Sequence, residues 1–341
     1  MKLAFIGTGK IIADALFAVE PVKNIEKTAV FARPHSRAKA EALAEKYNIR
    51  EIYTDYQELL EKTEADTVYI GLINSAHYPY AREALLHGKH VILEKPFTGF
   101  WKEAKELQQI AQERNLLEAI TILHNEVFTQ MKANLEKLGT LRMVLCNYSQ
   151  YSSRYDHYLK GEIEHAFDPQ YYGGALYDIN IYNIHYCVGL FGVPEDVEYY
   201  PNQGRNGIDT SGTLVMKYDG FSAVCTGAKD SDSPGYVCVQ GEKGWMKVDS
   251  KPNVASALET VYVDEGVTEK VRDAAGAMVR ATITEHFEAE EQHHRMTREF
   301  QDFARIIDEK DYETAEKLTA ESVDVIGVLE KARIKGGIVF E

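Results

Sequence analysis

Positive charge is in short supply in this sequence. Its 341 residues include 38 lysines and arginines against 53 aspartates and glutamates, which gives a formal net charge of −15 at pH 7. Nucleic acids and anionic membrane surfaces suit such a chain poorly, because neither carries the positive charge that would balance it. We therefore expect small-molecule partners, with no nucleic acid and no membrane among them.

Cysteines and long apolar runs are also scarce. The four cysteines, at positions 146, 187, 225 and 238, lack CxxC spacing, and no secretory leader precedes the first apolar run. No apolar stretch approaches the roughly 20 residues of a membrane-spanning helix. We expect a soluble, cytoplasmic protein with reduced thiols.

A glycine turn follows the first short apolar run, residues 3–6. The turn and the start of the next helix are formed by Gly7, Thr8, Gly9, Lys10 and Ile11. Gly7 permits a tight turn, and Gly9 lets backbone amides approach a pyrophosphate at the helix N-terminus. Ile12 occupies the place of the third glycine of a dinucleotide fingerprint, so helix and strand should pack less closely there. The alternative is an ordinary strand-to-helix turn.

The second apolar strand, residues 28–32, ends without the acidic residue that would hold an adenosine ribose. Arg33 and Arg37 follow instead, with Ser36 between them. Guanidinium groups suit a 2′-phosphate, so this pattern favours NADP over NAD as cofactor. The alternative is that Arg37, like Lys39, merely decorates the solvated face of a helix over residues 36–47.

Polar residues also follow two later strands. Asn74 and His77 come after the strand at 66–71, and Glu94 and Lys95 come after the apolar run at 91–93, just before Pro96. In a parallel sheet these strand ends share one edge, where such folds hold ligands, so we expect the four side chains to converge. The alternatives are a solvated ion pair in a surface turn and a histidine that merely starts a helix.

From about residue 125 the pattern changes to alternating, aromatic-rich strands, with Asp219-Gly220 as a hairpin turn. A glycine pair at 173–174 leads into an apolar helix that carries Asp178, Tyr182 and His185. Their i, i+4, i+7 spacing predicts one polar stripe and therefore a site. The alternative is a buried, hydrogen-bonded helix in which Asp178 caps and Tyr182 packs.

These patterns predict an α/β protein with two domains. Residues 1–120 should form a Rossmann dinucleotide-binding domain, and residues 121–341 an α+β domain with a large, mostly antiparallel sheet for substrate binding and oligomerisation. An apolar face of that sheet should be covered in a homodimer or larger assembly. The tail should form helices over 298–335 and a last short strand over 338–340.

One cluster has near-ligand spacing for a metal: Glu290, His293 and His294. We place it on a charged helix over 285–299, where a solvated face is the better interpretation, and we predict no metal site.

Taken together, the Gly7 to Gly9 turn, the Asn74 to His77 segment, Glu94-Lys95-Pro96 and the glycine pair leading to Tyr182 resemble the glucose-fructose oxidoreductase/inositol dehydrogenase/MocA family over nearly the whole chain. The resemblance implies that the first domain binds NAD(P) and that the second carries the substrate face and an oligomer interface. It further implies that Lys95 and Tyr182 act on the substrate hydroxyl or carbonyl, supported by Asp178.

A tyrosine at position 182, where many members have histidine, makes the chain similar to the dihydrodiol dehydrogenase branch, in which His77 also has a counterpart. Two departures from the family pattern are Ile73, which replaces a usual proline before Asn74, and Asn180, which replaces a usual glycine.

The expected function is an NADP-dependent oxidoreductase that acts on a sugar, a polyol or a related small alcohol or carbonyl compound. The ammonium of Lys95 should bring the pKa of Tyr182 down towards neutrality for proton transfer, and Asp178 should orient the lysine. The alternative is a non-catalytic NADP-binding sensor on the same fold.

Overall fold

The computed structural model describes residues 1–112 and 114–340. A six-stranded sheet occupies the first third of the chain. Its strands are β1 (Lys2–Ile6), β2 (Glu26–Phe31), β3 (Glu51–Tyr53), β4 (Thr67–Ile70), β5 (His90–Glu94) and β6 (Leu116–Ala119). All neighbours are parallel, in the order β3-β2-β1-β4-β5-β6. This is the doubly wound order of a Rossmann fold, which opens a crevice where the strand order reverses, beside β1 and β4.

Crossover helices join these strands: α1 (Lys10–Ala18), α2 (Arg37–Tyr47), α3 (Tyr56–Lys62), α4 (His77–Leu86) and α5 (Trp101–Ala111). Both faces of the sheet are covered, which explains why its strands are apolar throughout. In β1, for example, Ala4 and Ile6 belong to one apolar core, whereas Leu3 and Phe5 belong to the other.

A second sheet of eight strands follows α6 (Glu126–Asn134). Its members are β7 (Leu141–Ser149), β8 (Asp196–Gln203), β9 (Asp209–Tyr218), β10 (Phe221–Ala228), β11 (Tyr236–Gly241), β12 (Gly244–Val248), β13 (Ala257–Val263) and β16 (Thr282–Glu288), with β14 (Val271–Arg272) and β15 (Met278–Val279) forming a separate pair. The order is β16-β13-β12-β11-β7-β10-β9-β8, and every pair except β7 with β10 is antiparallel. The predicted fold class is confirmed.

Four helices complete the described part: α7 (Ser153–Leu159), α8 (Ile181–Phe191), α9 (Thr297–Asp308) and α10 (Tyr312–Lys335). Helix α8 packs on the second sheet. Helix α9 returns to the first sheet, where Phe300 and Phe303 share a core with Leu3 and Phe5. The predicted helical tail is confirmed.

Two secondary-structure predictions were wrong. Residues 282–288 form strand β16, paired with β13, and the chain from 289 to 296 is irregular, so no helix covers 285–299. Residues 338–340 are not a strand. Ile338 is held by two hydrogen bonds with Arg333, and the ring of Phe340 stacks on Tyr172 at 5.1 Å, so these residues are apolar because they fill a core.

Within residues 1–112 and 114–340, no helix combines the length and the apolarity that crossing a bilayer requires.

Candidate functional site

A cleft of about 1340 Å³ opens at the carboxyl ends of the first sheet's strands and is lined by residues of both sheets. It exceeds the roughly 300–1,000 Å³ of a typical small-molecule pocket. The cleft therefore has room for a dinucleotide and a second small molecule side by side.

The glycine turn forms one wall of this cleft. Gly7 has a φ of +126°, and a Cβ there would lie 2.8 Å from the carbonyl oxygen of Gly71. Gly9 immediately precedes α1, and a Cβ there would meet nothing within 4 Å, so the groove beside the helix start stays open. The first-turn amides of a helix lack intrahelical acceptors and favour anions. These residues fit the pyrophosphate of a dinucleotide.

The missing third glycine has a structural counterpart. Ile12 is fully buried, and a Cβ on Gly71, at the end of the neighbouring strand, would lie 2.8 Å from its Cδ1. The side chain of Ile12 therefore fills the space that a Cβ on Gly71 would need, so a glycine after β4 accommodates it.

The far end of the cleft, after β2, is rich in cationic and hydroxyl groups: Arg33, His35, Ser36 and Lys39 line it. Arg37 is not among the lining residues, because its Nε donates to Glu41 at 2.9 Å on the exposed side of α2. Lys39, which the sequence placed with the solvated residues, lines the cleft. This donor set fits a 2′-phosphate.

Asn74 also lines the cleft, and its Nδ2 donates to the carbonyl oxygen of Tyr172 at 2.9 Å, which ties the two halves of the chain together. Ile73 has φ −70°, the value that a proline would impose. Replacing the usual proline therefore leaves the backbone conformation intact.

His77 lies behind the cleft wall rather than in it. Its ring nitrogens face the carbonyl oxygens of Pro96 at 2.8 Å and Leu72 at 3.2 Å, and the side chain is only 1% exposed. Burial lowers the pKa of His77. It clamps the loops that follow β4 and β5, and the structure does not bring it to the cleft surface.

Glu94 lies on the cleft floor, where it accepts a hydrogen bond of 2.5 Å from the hydroxyl of Tyr69. Burial raises its pKa, an effect that Tyr69 and Lys95 only partly offset.

Lys95 and Asp178 form the centre of the site. The ammonium of Lys95 donates to Asp178 Oδ1 and to the backbone oxygen of Asp178, both at 2.8 Å. Burial alone would lower the pKa of Lys95, but the Asp178 carboxylate outweighs it and raises that pKa. Burial likewise opposes charge on Asp178, yet Lys229 and Lys95 hold its pKa well below the usual range. Both residues stay charged at neutral pH.

The helix that carries Asp178 and Tyr182 begins with a π-helical turn, Leu176–Asn180, which continues into α8. Gly174, with φ +100°, starts it, and the amide of Leu176 donates to the buried Asp209 at 2.6 Å. Such wide turns are frequent at functional sites. Here Asp178 and Tyr182 both line the cleft.

His185 does not share that face, so the predicted three-residue stripe was wrong at its last position. Its Nε2 lies 3.3 Å from Glu118 Oε2 and its Nδ1 lies 3.9 Å from Glu321 Oε1, in the core between β6 and α10. Burial opposes charge on the ring, but Glu118 raises the pKa of His185 to about 9.

Asn180, the second departure from the family pattern, is fully buried, and its Nδ2 donates to the carbonyl oxygen of Cys225 at 3.1 Å. A Cβ on Gly227 of β10 would lie 2.7 Å from the Cβ of Asn180. The space normally provided by a glycine in the helix is thus provided by a glycine in the sheet.

Tyr182 is 7% exposed, and the ammonium of Lys95 lies 5.3 Å from its ring centre. Burial raises the pKa of Tyr182, and Lys95 and Arg295 offset only part of that increase. The expectation of a lowered pKa was wrong, because desolvation outweighs the nearby cations. At neutral pH Tyr182 is a phenol with a proton to donate.

Several lining residues were missed from the sequence: Tyr148, Lys229, Arg295 and Glu299. Lys229 directly follows a strand, as Lys95 does, and this position was the signal that could have identified it. Glu299 is 1% exposed, and its Oε2 has no hydrogen-bond partner among the described residues. Burial raises the pKa of Glu299 well above its ordinary value, which favours the neutral acid at the cleft floor.

The aromatic run at 151–158 contributes to the same cleft, through Tyr151, Ser152, Ser153, Arg154 and His157.

The cluster at Glu290, His293 and His294 does not form a ligand set, since the ring of His293 packs on Phe17 at 4.2 Å. In the part of the chain that the structure describes, the group with metal-ligating potential is a trio of buried thiols, Cys146, Cys187 and Cys225, whose sulfurs lie within 4.8 Å of one another. They lie where α8, which carries Cys187, packs on β7 and β10, which carry Cys146 and Cys225.

Comparison with known families agrees with this geometry. Residues 1–121 match the family described as "Oxidoreductase family, NAD-binding Rossmann fold", and residues 128–247 match the "GFO/IDH/MocA C-terminal domain". The chain belongs to the GFO/IDH/MocA oxidoreductase family. The resemblance drawn from the sequence is confirmed.

The chain is 33% identical to scyllo-inositol 2-dehydrogenase (NADP(+)) of Bacillus subtilis over 100% of its own length and 98% of that protein's. It is 25% identical to trans-1,2-dihydrobenzene-1,2-diol dehydrogenase of Xenopus tropicalis over 73% of this chain and 75% of the relative. Among solved structures, a 3-ketoreductase from Actinomadura kijaniata in complex with NADP and TDP-benzene shares the fold with a TM-score of 0.78, at 20% identity over 98% of this chain and 97% of that one.

Proposed function

We propose that this GFO/IDH/MocA oxidoreductase transfers a hydride between NADP and a sugar, a polyol or a related small alcohol or carbonyl compound. The observation that carries the proposal is the partly buried Lys95–Asp178 ion pair beside the protonated Tyr182, in the same cleft as the glycine turn. A cofactor site alone would require none of these three residues.

When bound, the nicotinamide supplies or accepts the hydride. Tyr182 donates the proton that a carbonyl oxygen needs as it becomes an alcohol. Lys95 uses two of its three N–H groups on Asp178, which leaves one to polarise the same oxygen. Asp178 fixes the direction of the ammonium.

NADP is the proposed cofactor because Arg33, Ser36 and Lys39 line the end of the cleft where the adenosine ribose would lie, and no acidic side chain follows β2 there. The relative from Bacillus subtilis that matches the whole chain is named as NADP(+)-dependent. Gly7, Thr8, Gly9, Lys10 and Ile11 would hold the pyrophosphate, and Asn74 and Glu94 the nicotinamide half.

A polyhydroxylated substrate fits the other end of the cleft. Glu164 accepts a 2.6 Å hydrogen bond from His157 Nδ1 and pairs with Arg154 Nε at 3.2 Å, and all three residues line the cleft. Such paired donors and acceptors match hydroxyl groups, which both donate and accept. The relative named above acts on a cyclic polyol, scyllo-inositol.

The test is to mix the purified protein with NADPH or NADP and a panel of inositols, aldoses, ketoses and dicarbonyls, and to follow nicotinamide absorbance. We expect turnover with at least one class. Tight NADP binding without turnover of any class would instead favour the alternative, a non-catalytic sensor. Lys95→Met is the matched control for contaminating activity, since it should bind NADP and not turn over.

We also propose a homodimer or larger assembly. One face of the second sheet carries the buried core, whereas on the opposite face the apolar side chains of Leu145, Val215, Val224, Trp245 and Val261 are partly exposed. A second copy of the chain would cover them. Sedimentation at micromolar concentration would refute this proposal if it found a monomer.

The domain bounds of 1–120 and 121–341 and the cytoplasmic location remain predictions. The first boundary is supported by the end of β6 at Ala119. The location is supported by the free thiols, including Cys187 and Cys225, whose sulfurs are only 3.6 Å apart and unbonded.

A further inference from the structure

Lys229 is a buried lysine that holds the same carboxylate as Lys95. Its Nζ lies 2.7 Å from Asp178 Oδ2, and its side chain is 4% exposed. The Nζ also donates to the carbonyl oxygen of Ala166 at 2.7 Å and lies 4.5 Å from the ring centre of Phe167. Asp178 is therefore held by one ammonium on each of its two oxygens.

The backbone of Lys229 is fixed as firmly as its side chain. Its amide donates to the carbonyl oxygen of Thr210 at 2.8 Å, and its own carbonyl oxygen accepts from the amide of Ser152 at 2.9 Å. These bonds connect the end of β10 to β9 and to the loop that lines the substrate end of the cleft. Lys229 is thus a rigid support, whereas the Asp178 side chain, at 37% exposure, would otherwise be free to turn into the cleft.

The charge balance argues that this lysine is more than a structural filler. Two ammonium groups share the Asp178 carboxylate, with Glu94 also acting on Lys95 and Asp209 on Lys229. Burying Lys229 as a cation is costly, and packing alone does not require it. An apolar side chain at position 229 would fill the space without that cost. The ammonium of Lys229 instead keeps the Asp178 carboxylate from rotating away from Lys95.

We propose that Lys229 is a positioning residue for hydride transfer: it holds Asp178 from the side opposite Lys95 and so keeps the Lys95 ammonium beside Tyr182. This inference rests on the proposed function, and it adds to the site a residue that the sequence analysis did not single out.

The kinetic test compares Lys229→Met with Lys217→Met, a matched control on strand β9 of the same sheet whose lysine side chain is 67% exposed. Lys229→Met should lose about 10- to 100-fold in kcat, the cost of a small misplacement of a reacting group, with the NADPH Kd unchanged. Lys217→Met should match wild type. Added ethylammonium should restore part of kcat in Lys229→Ala, because it supplies the missing charge without the side chain.

A pH profile separates positioning from simple packing. The groups that face Lys229 are Asp178, Lys95, Asp209 and His165. Burial lowers the pKa of Lys229. At Lys95 burial acts in the same direction, but the Asp178 carboxylate outweighs it and raises the pKa, so Lys229 loses its proton first as pH rises. The wild-type kcat should therefore fall at alkaline pH as Lys229 loses its proton, which gives the pH profile an alkaline limb. This limb should be absent in Lys229→Met.

A wild-type kcat in Lys229→Met, or an unchanged alkaline limb, would overturn the proposal. If wild type turns over no substrate, the proposed function fails, and crystal structures of wild type and Lys229→Met then decide the role of Lys229. Rotation of the Asp178 carboxylate away from Lys95 would support it, and an unchanged contact would refute it. If Lys229→Met does not fold, Lys229→Gln, whose amide can still donate to Ala166, replaces it in every measurement.

Discussion

Removing the hydroxyl of Tyr182 or the charge of Lys95 should abolish most turnover while leaving NADP binding intact. Tyr182→Phe should cost about 10²- to 10⁴-fold in kcat, the usual contribution of general acid-base catalysis, which corresponds to about 2.7–5.4 kcal/mol.

Lys95→Met should cost at least as much. It should still fold, because Asp178 keeps its 2.7 Å ion pair with Lys229 and is not left as an unpaired charge. Since both groups act on one oxygen in one step, the double variant should be scarcely slower than the poorer single variant.

The assay is NADPH oxidation by absorbance with the best substrate of the panel, together with a fluorescence titration of NADPH. Tyr186→Phe is the matched control, because Tyr186 lies one turn further along the same helix, 1% exposed and outside the cleft lining. Near wild-type rates in Tyr182→Phe would refute the mechanism, and additive losses in the double variant would assign the two residues to separate steps.

Three further outcomes are expected. Arg33→Ala should weaken NADP binding about tenfold or more without changing NAD binding, whereas Arg37→Ala should change neither. If Arg33→Ala weakened the binding of both cofactors equally, a contact between Arg33 and the 2′-phosphate would be excluded. Against the effect of burial, Glu118 raises the pKa of His185 to about 9, so their pair stabilises the fold fully below about pH 6.5 and loses that stabilisation, on the order of 3 kcal/mol, as pH rises through 9. The free energies of unfolding of wild type and His185→Gln, measured by urea denaturation between pH 6 and 9.5, should therefore converge at high pH. A constant difference between them would contradict the pairing. Gly227→Ala should lower the free energy of unfolding by about 1–3 kcal/mol, because its Cβ would lie only 2.7 Å from the Cβ of the buried Asn180. Unchanged stability in the same urea assay would show that the helix can shift.

Local rules were sufficient for most of the fold. Short apolar runs followed by glycine or proline predicted the parallel strands, and the change to alternating strands after residue 125 predicted the second sheet. The errors came from segments where two local signals compete. At 282–288 charged residues obscured a period of two, and at 338–340 apolar residues that fill a core resembled a strand.

The site was predictable where the backbone decides it, and less so where neighbours do. The carboxyl ends of parallel strands meet at one edge whatever their side chains, so the sequence alone placed Asn74, Glu94 and Lys95 in the cleft. Helical spacing placed Asp178 beside Tyr182 but wrongly added His185, whose ring lies in the core beside Glu118 and Glu321.

The sequence by itself determined the fold class and the strand ends that form the cleft, because both follow from local periodicity and turn chemistry. The family came from the resemblance of its motifs. Only the tertiary structure decided which ionisable groups lie close to one another and how deeply each is buried. It paired Lys229 with Asp178, 51 residues apart along the chain, turned Arg37 to Glu41 and put Lys39 into the cleft. It also reversed the expected shift of the Tyr182 pKa. Desolvation and long-range ion pairs depend on what surrounds a side chain in space, and no local pattern in the sequence contains that information.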